Sequence, residues 1–354
     1  MAYTNIDDPS AYFQTALYTG NGTGQTITND GNSDLKPDFL WFKNRSETVA
    51  NTLWDSSRGI TKFLVSEQTA ADYTNPAGYE LTSFNTDGFG LGIHNTAGIN
   101  QSSSYNYVAW QWKANGGTTA SNTDGDITST VQVNSDAGFS IVTYTGNFTA
   151  TQTVGHGLGV RPDVVIIKNR DTAVDWVVWT SKLTSGNMLK LNATDAQGSS
   201  SRIYQAGFTT STFGIGANNS VNKSGDDLIA YCFAEKQGYS KFGSYVGNGN
   251  ADGPFVYTGF KPAFVMMKNT SIAGSWRIID AKRNPSNLVN KQLSPNANSA
   301  ESTSPAYIAS DFLSNGFKLR TSEAEGNGSG HTYIYMAFAE NPFVTSTGVP
   351  TTAR

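Results

Sequence analysis

Three histidines, one cysteine and 28 carboxylates are the groups with which this chain of 354 residues could do acid, base, nucleophilic or metal chemistry. Carboxylates come close together at Asp124-Gly125-Asp126, Asp226-Asp227 and Glu323-Ala324-Glu325. Such pairs could hold calcium or flank a glycosidic bond, but calcium takes about six to eight oxygens and glycoside hydrolysis needs two carboxyls at a fixed separation. Adjacent numbering supplies neither, and solvated turn charge is the stronger reading. Asp226 and Asp227, at the start of a strand, are also placed to block edge pairing. His94, His156 and His331 fall at unrelated positions, and one cysteine cannot complete a thiolate zinc site. Cys232 sits in the apolar stretch 228–233, which makes it a core thiol. The stretch Gly155-His156-Gly157-Leu158-Gly159 runs toward a strand and not a helix, so it lacks the helix terminus on which a phosphate cradle depends. No catalytic residue, cofactor or metal is expected, and the chain reads as a protein that is not an enzyme.

What the sequence does contain is repetition. Tyr18-Thr19-Gly20-Asn21, Tyr144-Thr145-Gly146-Asn147 and Tyr245-Val246-Gly247-Asn248 each precede a proline that opens an apolar run ending in Lys-Asn. The runs are Pro37 to Lys43-Asn44, Pro162 to Lys168-Asn169 and Pro262 to Lys268-Asn269, with one proline-to-lysine spacing. Further on come Phe89-Gly90-Leu91, Phe213-Gly214-Ile215 and Phe317-Lys318-Leu319, and each repeat closes on an aromatic strand. Three copies suit a scaffold or binding array better than a catalytic centre.

Lys43, Lys168 and Lys268 could contact an anion or a sugar, but a lysine at a strand end more simply lays its stem over the core with its ammonium in water, while the asparagine starts a turn. Trp54, Trp176, Trp179 and Trp276 pose the same choice. Their placement just beyond the Lys-Asn turn suits core packing, and they are also the candidates for stacking on a glycan or partner. Trp41 is expected to be buried, and Trp110 and Trp112 share a strand face.

These signals position an all-β fold. Aromatics make up 12% and charged residues 15% of a chain rich in Gly, Ser, Thr and Asn, a balance that favours strands and turns over amphipathic helices. Val164-Val165-Ile166-Ile167 and Phe264-Val265-Met266-Met267 are short continuous apolar runs, as in strands buried on both faces. Three β-sandwich-like units are expected: 1–113, 139–236 and 244–343, with a polar linker over 114–138 and a tail over 344–354. Units two and three are joined by only residues 237–243 and must pack closely, whereas unit one either stands apart or folds back on the pair.

The formal net charge of −4, without a basic stripe, argues against a nucleic-acid partner. No apolar run approaches the roughly 18 residues of a membrane helix, and the amino terminus shows no secretory leader, so membrane insertion is not expected.

A resemblance adds to this. The segments Phe139-Ser140-Ile141-Val142-Thr143-Tyr144-Thr145-Gly146-Asn147, His156-Gly157-Leu158-Gly159-Val160-Arg161-Pro162, Gly238-Tyr239-Ser240-Lys241-Phe242-Gly243 and Asp311-Phe312-Leu313-Ser314-Asn315-Gly316-Phe317 resemble repeats in bacteriophage virion proteins, especially from marine tailed phages. The resemblance covers residues 139–343, and unit one matches more loosely. It implies a virion surface protein, made in the host cytoplasm, that meets other virion proteins as a homo-oligomer. A tail-associated fibre or adhesin that contacts a host surface glycan is the favoured role. Capsid decoration is the alternative, and a glycan-binding or depolymerase module a further one.

Overall fold

The computed structural model describes residues 2–102, 104–303 and 307–351, and these are almost entirely β. Each unit is built on one large antiparallel sheet. In unit one the lateral order is Phe13–Thr19, Asn106–Trp112, Phe39–Asn44, Thr52–Asp55, Lys62–Val65 and Tyr73–Thr74. Unit two repeats it with Phe139–Thr145, Asp227–Phe233, Val164–Asn169, Val177–Thr180, Asn187–Lys190 and Gly198–Ser199. Unit three has Ser240–Val246, Thr332–Pro342, Phe260–Asn269 and Arg277–Asp280. A small second sheet of two or three strands covers one face of each large sheet.

The apolar runs explain why this covering is not enough. Successive strand side chains point to opposite faces. Leu40 and Phe42, Val165 and Ile167, and Val265 and Met267 pack into the three separate sandwich cores. Phe39 and Trp41, Val164 and Ile166, and Phe264 and Met266 face the other way, into one core shared by all three units. The three large sheets therefore form the walls of a triangular prism. The last strand of each unit lines its axis in layers: Val108, Ile229 and Ile334; Trp110, Tyr231 and Met336; Trp112, Phe233 and Phe338. The third layer is a closed aromatic triangle, with ring centroids 6.4 Å apart for Trp112 and Phe233, 6.0 Å for Phe233 and Phe338, and 5.5 Å for Trp112 and Phe338.

Hydrogen bonds run around the prism in one rotational sense. Backbone N–H groups of Glu301, Asp72 and Gln197 donate to the carbonyls of Arg45, Arg170 and Thr270, at 2.9, 2.8 and 3.2 Å. One turn further along, Asn51 Nδ2 donates to Ser294 O, Trp176 Nε1 to Val65 O and Trp276 Nε1 to Lys190 O. Each pair joins one unit to the next, so unit one folds back and closes the ring between units three and two.

Two of the three interfaces add a buried charge ladder. Asp55 and Arg58 of unit one pair at 2.6 Å, and both bond to the Tyr231 hydroxyl of unit two. Asp72 joins Arg58 to Arg170. The same arrangement recurs where unit three meets unit one: Asp280 pairs with Arg283 and accepts from Trp110 Nε1, while Glu301 joins Arg283 to Arg45. At the third interface the matching positions are Thr180 and Leu183 against Met336, with no charge.

The expected linker 114–138 is largely structured. Ala120–Asn122 and Ser129–Asn134 are strands that extend the sheet of unit two beside Phe139–Thr145. Their polarity reflects an edge position, where one face stays in water. Of the tail, Thr345 to Val349 form a turn held to Asp7 through Ser346, and 352–354 lie outside the described residues.

Removing Asp55 or Asp280 takes from a buried arginine its nearest carboxylate and leaves Asp72 or Glu301 alone to balance it, and breaking a buried ion pair costs about 3–5 kcal/mol. Asp55→Ala and Asp280→Ala are each expected to lower the unfolding free energy by that amount in urea titrations, against less than about 1.5 kcal/mol for Thr180→Ala. All probes should report one transition, since the units share a core.

Candidate functional site

The repeated motifs gather at one end of the prism. Tyr18 and Asn44 both lie opposite Tyr107 in their sheet, Tyr144 and Asn169 opposite Leu228, and Tyr245 and Asn269 opposite Tyr333. The aromatic triangle lies toward the other end, where Tyr3 and Thr4 pack on Gly259 and Gln237, and Phe343 bonds to Gly259. Both described chain ends therefore sit opposite the repeated loops.

Each loop is made the same way. The tyrosine hydroxyl donates at 2.7 Å to a carbonyl of a facing loop: Tyr18 to Ile99, Tyr144 to Val221, Tyr245 to Gly326. The glycine two residues on admits close backbone approach. A Cβ at Gly20, Gly146 or Gly247 would lie 2.3, 2.2 or 2.3 Å from a carbonyl oxygen of Gln101, Lys223 or Gly328. The next residue, Asn21, Asn147 or Asn248, donates its N–H to the side chain of Asn100, Asn222 or Asn327. Those three buried asparagines return their amides to the loop carbonyls of Thr23, Thr149 and Asn250. Each directly follows the residue that accepts the tyrosine hydroxyl.

Asn44, Asn169 and Asn269 start their turns as expected, each side-chain oxygen accepting two following backbone N–H groups. The lysines differ from expectation. Lys43, Lys168 and Lys268 are fully buried, because strand alternation aims them inward, where the neighbouring unit closes over them. Lys43 Nζ donates to Val49 O and, from unit three, to Asn298 O, while Lys168 and Lys268 donate to the carbonyls of Asn169 and Asn269. Burial pulls each amine from 10.5 to about 8.

The four tryptophans proposed to meet a glycan or partner are not exposed. Trp54 stacks on Phe63, Trp179 stacks on Phe208, and Trp176 and Trp276 are sealed in the shared core with their indole N–H groups bonded across unit boundaries. Trp176 and Trp276 thus sit where two units meet, and Trp54 and Trp179 inside the sandwich cores of their own units, so none has a free ring face. Nor do the other reactive groups converge. Cys232 is buried, and burial raises its thiol above the ordinary range. His156 is pushed down to about 4 by burial, with Nδ1 accepting from Leu158 N–H. Asp226 bonds to Asn169 and Thr172, and Asp227 lies in an interior strand, so neither guards an edge. Among the described residues no cluster of His, Cys, Asp or Glu could hold a metal ion.

What the loop end offers is surface. Phe148, Val246 and Ile272, from the repeated loops and turns of units two and three, are exposed apolar side chains among Asn, Ser and Thr. Phe148 also holds φ of 58°, a left-handed conformation the loop enforces on a bulky residue.

The buried lysines set the response to alkali. Between pH 8 and 10.5 the folded amine binds fewer protons than the unfolded one, so stability rises with pH across that window, by at most about 3 kcal/mol per lysine. Cys232 and the buried Tyr18, Tyr144 and Tyr245 are raised and act oppositely, removing stability once pH passes their unfolded values near 9 and 10. Urea titrations should therefore show stability climbing from pH 8 to 9 and turning over above 10. The variant K43M/K168M/K268M should lack the climb.

A family model described as Domain of unknown function (DUF7483) matches residues 8–342, and the chain belongs to that family. No curated protein and no solved structure matches it.

Proposed function

We infer that this member of the DUF7483 family is a non-enzymatic surface protein of a bacteriophage particle, acting as a tail-associated fibre or adhesin component in host attachment. The observation that carries the reading is the polarity of the prism. Three loops of one design crowd one end, and the chain enters and leaves at the other. A module anchored at its terminal end presents the loop end outward. The resemblance of residues 139–343 to phage virion repeats supports the same assignment.

The energetics suit a display role. Loops that contact a ligand lose less entropy on binding when they are already fixed, and here each is tied down by a tyrosine, a glycine contact and a paired asparagine. The buried carboxylates Asp55, Asp280 and Glu301 are occupied in holding units together. Weak contacts by Phe148, Val246 and Ile272 would gain strength through several copies on one particle.

Gold-labelled antibody on intact particles is expected to mark the tail, and purified protein to compete with particles for host cells. The triple change F148D/V246D/I272D should abolish that competition while leaving the unfolding midpoint unchanged. Label over the head would instead assign the protein to capsid decoration. Release of reducing sugar from host polysaccharide would overturn the non-enzymatic reading.

A further inference from the structure

The pseudo-threefold design breaks at the first strand of each unit: in unit two it is paired by an added strand, whereas Phe13–Thr19 and Ser240–Val246 are sheet edges. Beside the strand Phe13–Thr19, between units one and three, lies an open groove of about 530 Å³, floored by Ala263, Ala281 and Ala339 and flanked by two ion pairs, Lys261 with Glu340 and Lys282 with Asp30. Phe13–Thr19 is the edge strand of its sheet. Tyr12 accepts from Lys113 N–H, and Asp38 N–H donates to Trp112 O, so Gln14 and Ala16 face the ladder to Asn106–Trp112. The N–H and C=O groups of Phe13, Thr15 and Leu17 consequently point away from that ladder, at the edge where Phe13 and Thr15 line the groove. Thr15 Oγ1 is buried there without a hydrogen-bond partner.

The corresponding place between units two and one is full. The matching strand there, Phe139–Thr145, is paired on its outer side by Ser129–Asn134, with Gln132 opposite Ile141. The Gln132 amide fills the space, donating to Ser56 and Ser57 at 3.0 and 2.9 Å and accepting from Asn115 and Gly117 N–H. Counted from the repeated lysines, Ser56 and Ser57 correspond to Ala281 and Lys282, and counted from the repeated tyrosines Tyr18 and Tyr144, Thr15 corresponds to Ile141. In unit three the corresponding residue is Phe242, whose ring lies in the shared core.

We propose that the groove beside Phe13–Thr19 is a strand-acceptor site that takes an extended segment of a partner protein, added antiparallel to Phe13–Thr19 as Ser129–Asn134 is added to Phe139–Thr145. The chemistry of the segment follows from the filled groove. β-Branched residues alternate with polar ones, and the residue opposite Thr15 carries a carboxylate or carboxamide that bonds Thr15 Oγ1 and reaches Lys282. The ion pair of Lys282 with Asp30 spans the mouth with both side chains well exposed, so opening it costs little. Main-chain pairing supplies affinity and the alternating pockets supply selectivity. The inference stands apart from the attachment reading, since it concerns the flank of the prism and not its loop end.

The test uses the full chain and a synthetic peptide with the sequence of residues 127–136, carrying Glu in place of Gln132. Amide hydrogen exchange is followed at residue level at peptide concentrations up to about 1 mM. The expected result is that Phe13, Thr15 and Leu17 exchange about tenfold more slowly with peptide, while Gln14 and Ala16 are unchanged. Thr15→Pro removes one outward N–H at an edge position that tolerates proline, and it should abolish the slowing. The wild-type measurement decides by itself if that variant does not fold. Exchange at the three outward amides that is unaffected by peptide overturns the proposal. So does slowing that follows protein concentration without peptide, which would make the occupant a second copy of this chain.

Discussion

A sheet with two apolar faces cannot be satisfied by one cover. In each unit the small sheet shields one face, through residues such as Leu40, Val165 and Val265, and leaves Phe39, Val164 and Phe264 facing outward. Burial of such side chains is worth about 1.5–3 kcal/mol apiece, so three exposed faces would be untenable in water. Their solution is mutual. Three sheets turned toward one axis bury all three faces with no further element, and the Trp112, Phe233 and Phe338 triangle is where that closure is tightest. A trimer of identical chains could close the same ring, but the single chain removes the translational entropy of assembly and makes closure independent of concentration.

Closure by one chain also frees the interfaces to diverge. The three backbone bonds that circle the prism are alike, yet the side chains around them are not: two interfaces carry aspartate, arginine and a bridging carboxylate, and the third carries Thr180, Leu183 and Met336. Buried ion pairs rarely exceed a good apolar packing in stability. Their value here lies in order. Seated against the neutral side, Asp72 or Glu301 would lose Arg170 or Arg45, and Asp55 or Asp280 would lose the donor of Tyr231 or Trp110, which fixes which unit meets which.

Much of this was legible in the residues. The runs Val164 to Ile167 and Phe264 to Met267 said that their strands were covered twice, and the Tyr-x-Gly-Asn motif and the Lys-Asn turn marked structural positions in each unit. What covered the second face was not legible, because nothing in a strand says whether its neighbour is its own sandwich or another unit. The same ignorance misplaced the lysines, whose ammonium groups were expected in water. The depth of Lys43 is decided by the loop carrying Asn298, which lies 255 residues beyond it. The ladder was half visible, as Asp55 and Asp280 each precede an arginine by three residues. Its partners Tyr231 and Trp110 belong to other units, and no local pattern points to them. Nothing local sets Asn100, Asn222 and Asn327 apart, since an asparagine that clasps a loop and one that merely starts a turn look alike in sequence.

The buried lysines carry the argument one step further. Each holds its amine near 8, well below the ordinary range, and so costs the fold stability at neutral pH that a methionine in the same place would not. The repeated cost falls where the repeated loops are rooted. Each ammonium ties down a carbonyl at the start of a turn or in an adjacent loop, at Val49, Asn169 and Asn269. A charged donor makes a stronger bond than a neutral one in a low dielectric, and three such bonds stiffen the end of the prism that carries the clasped loops. Stability given up beneath a surface, in exchange for rigidity of that surface, is the balance expected where the surface has to hold its shape against a partner. The opposite end has no such lysines. There the aromatic layer packs without charge, as suits a base whose role is to hold the three walls together.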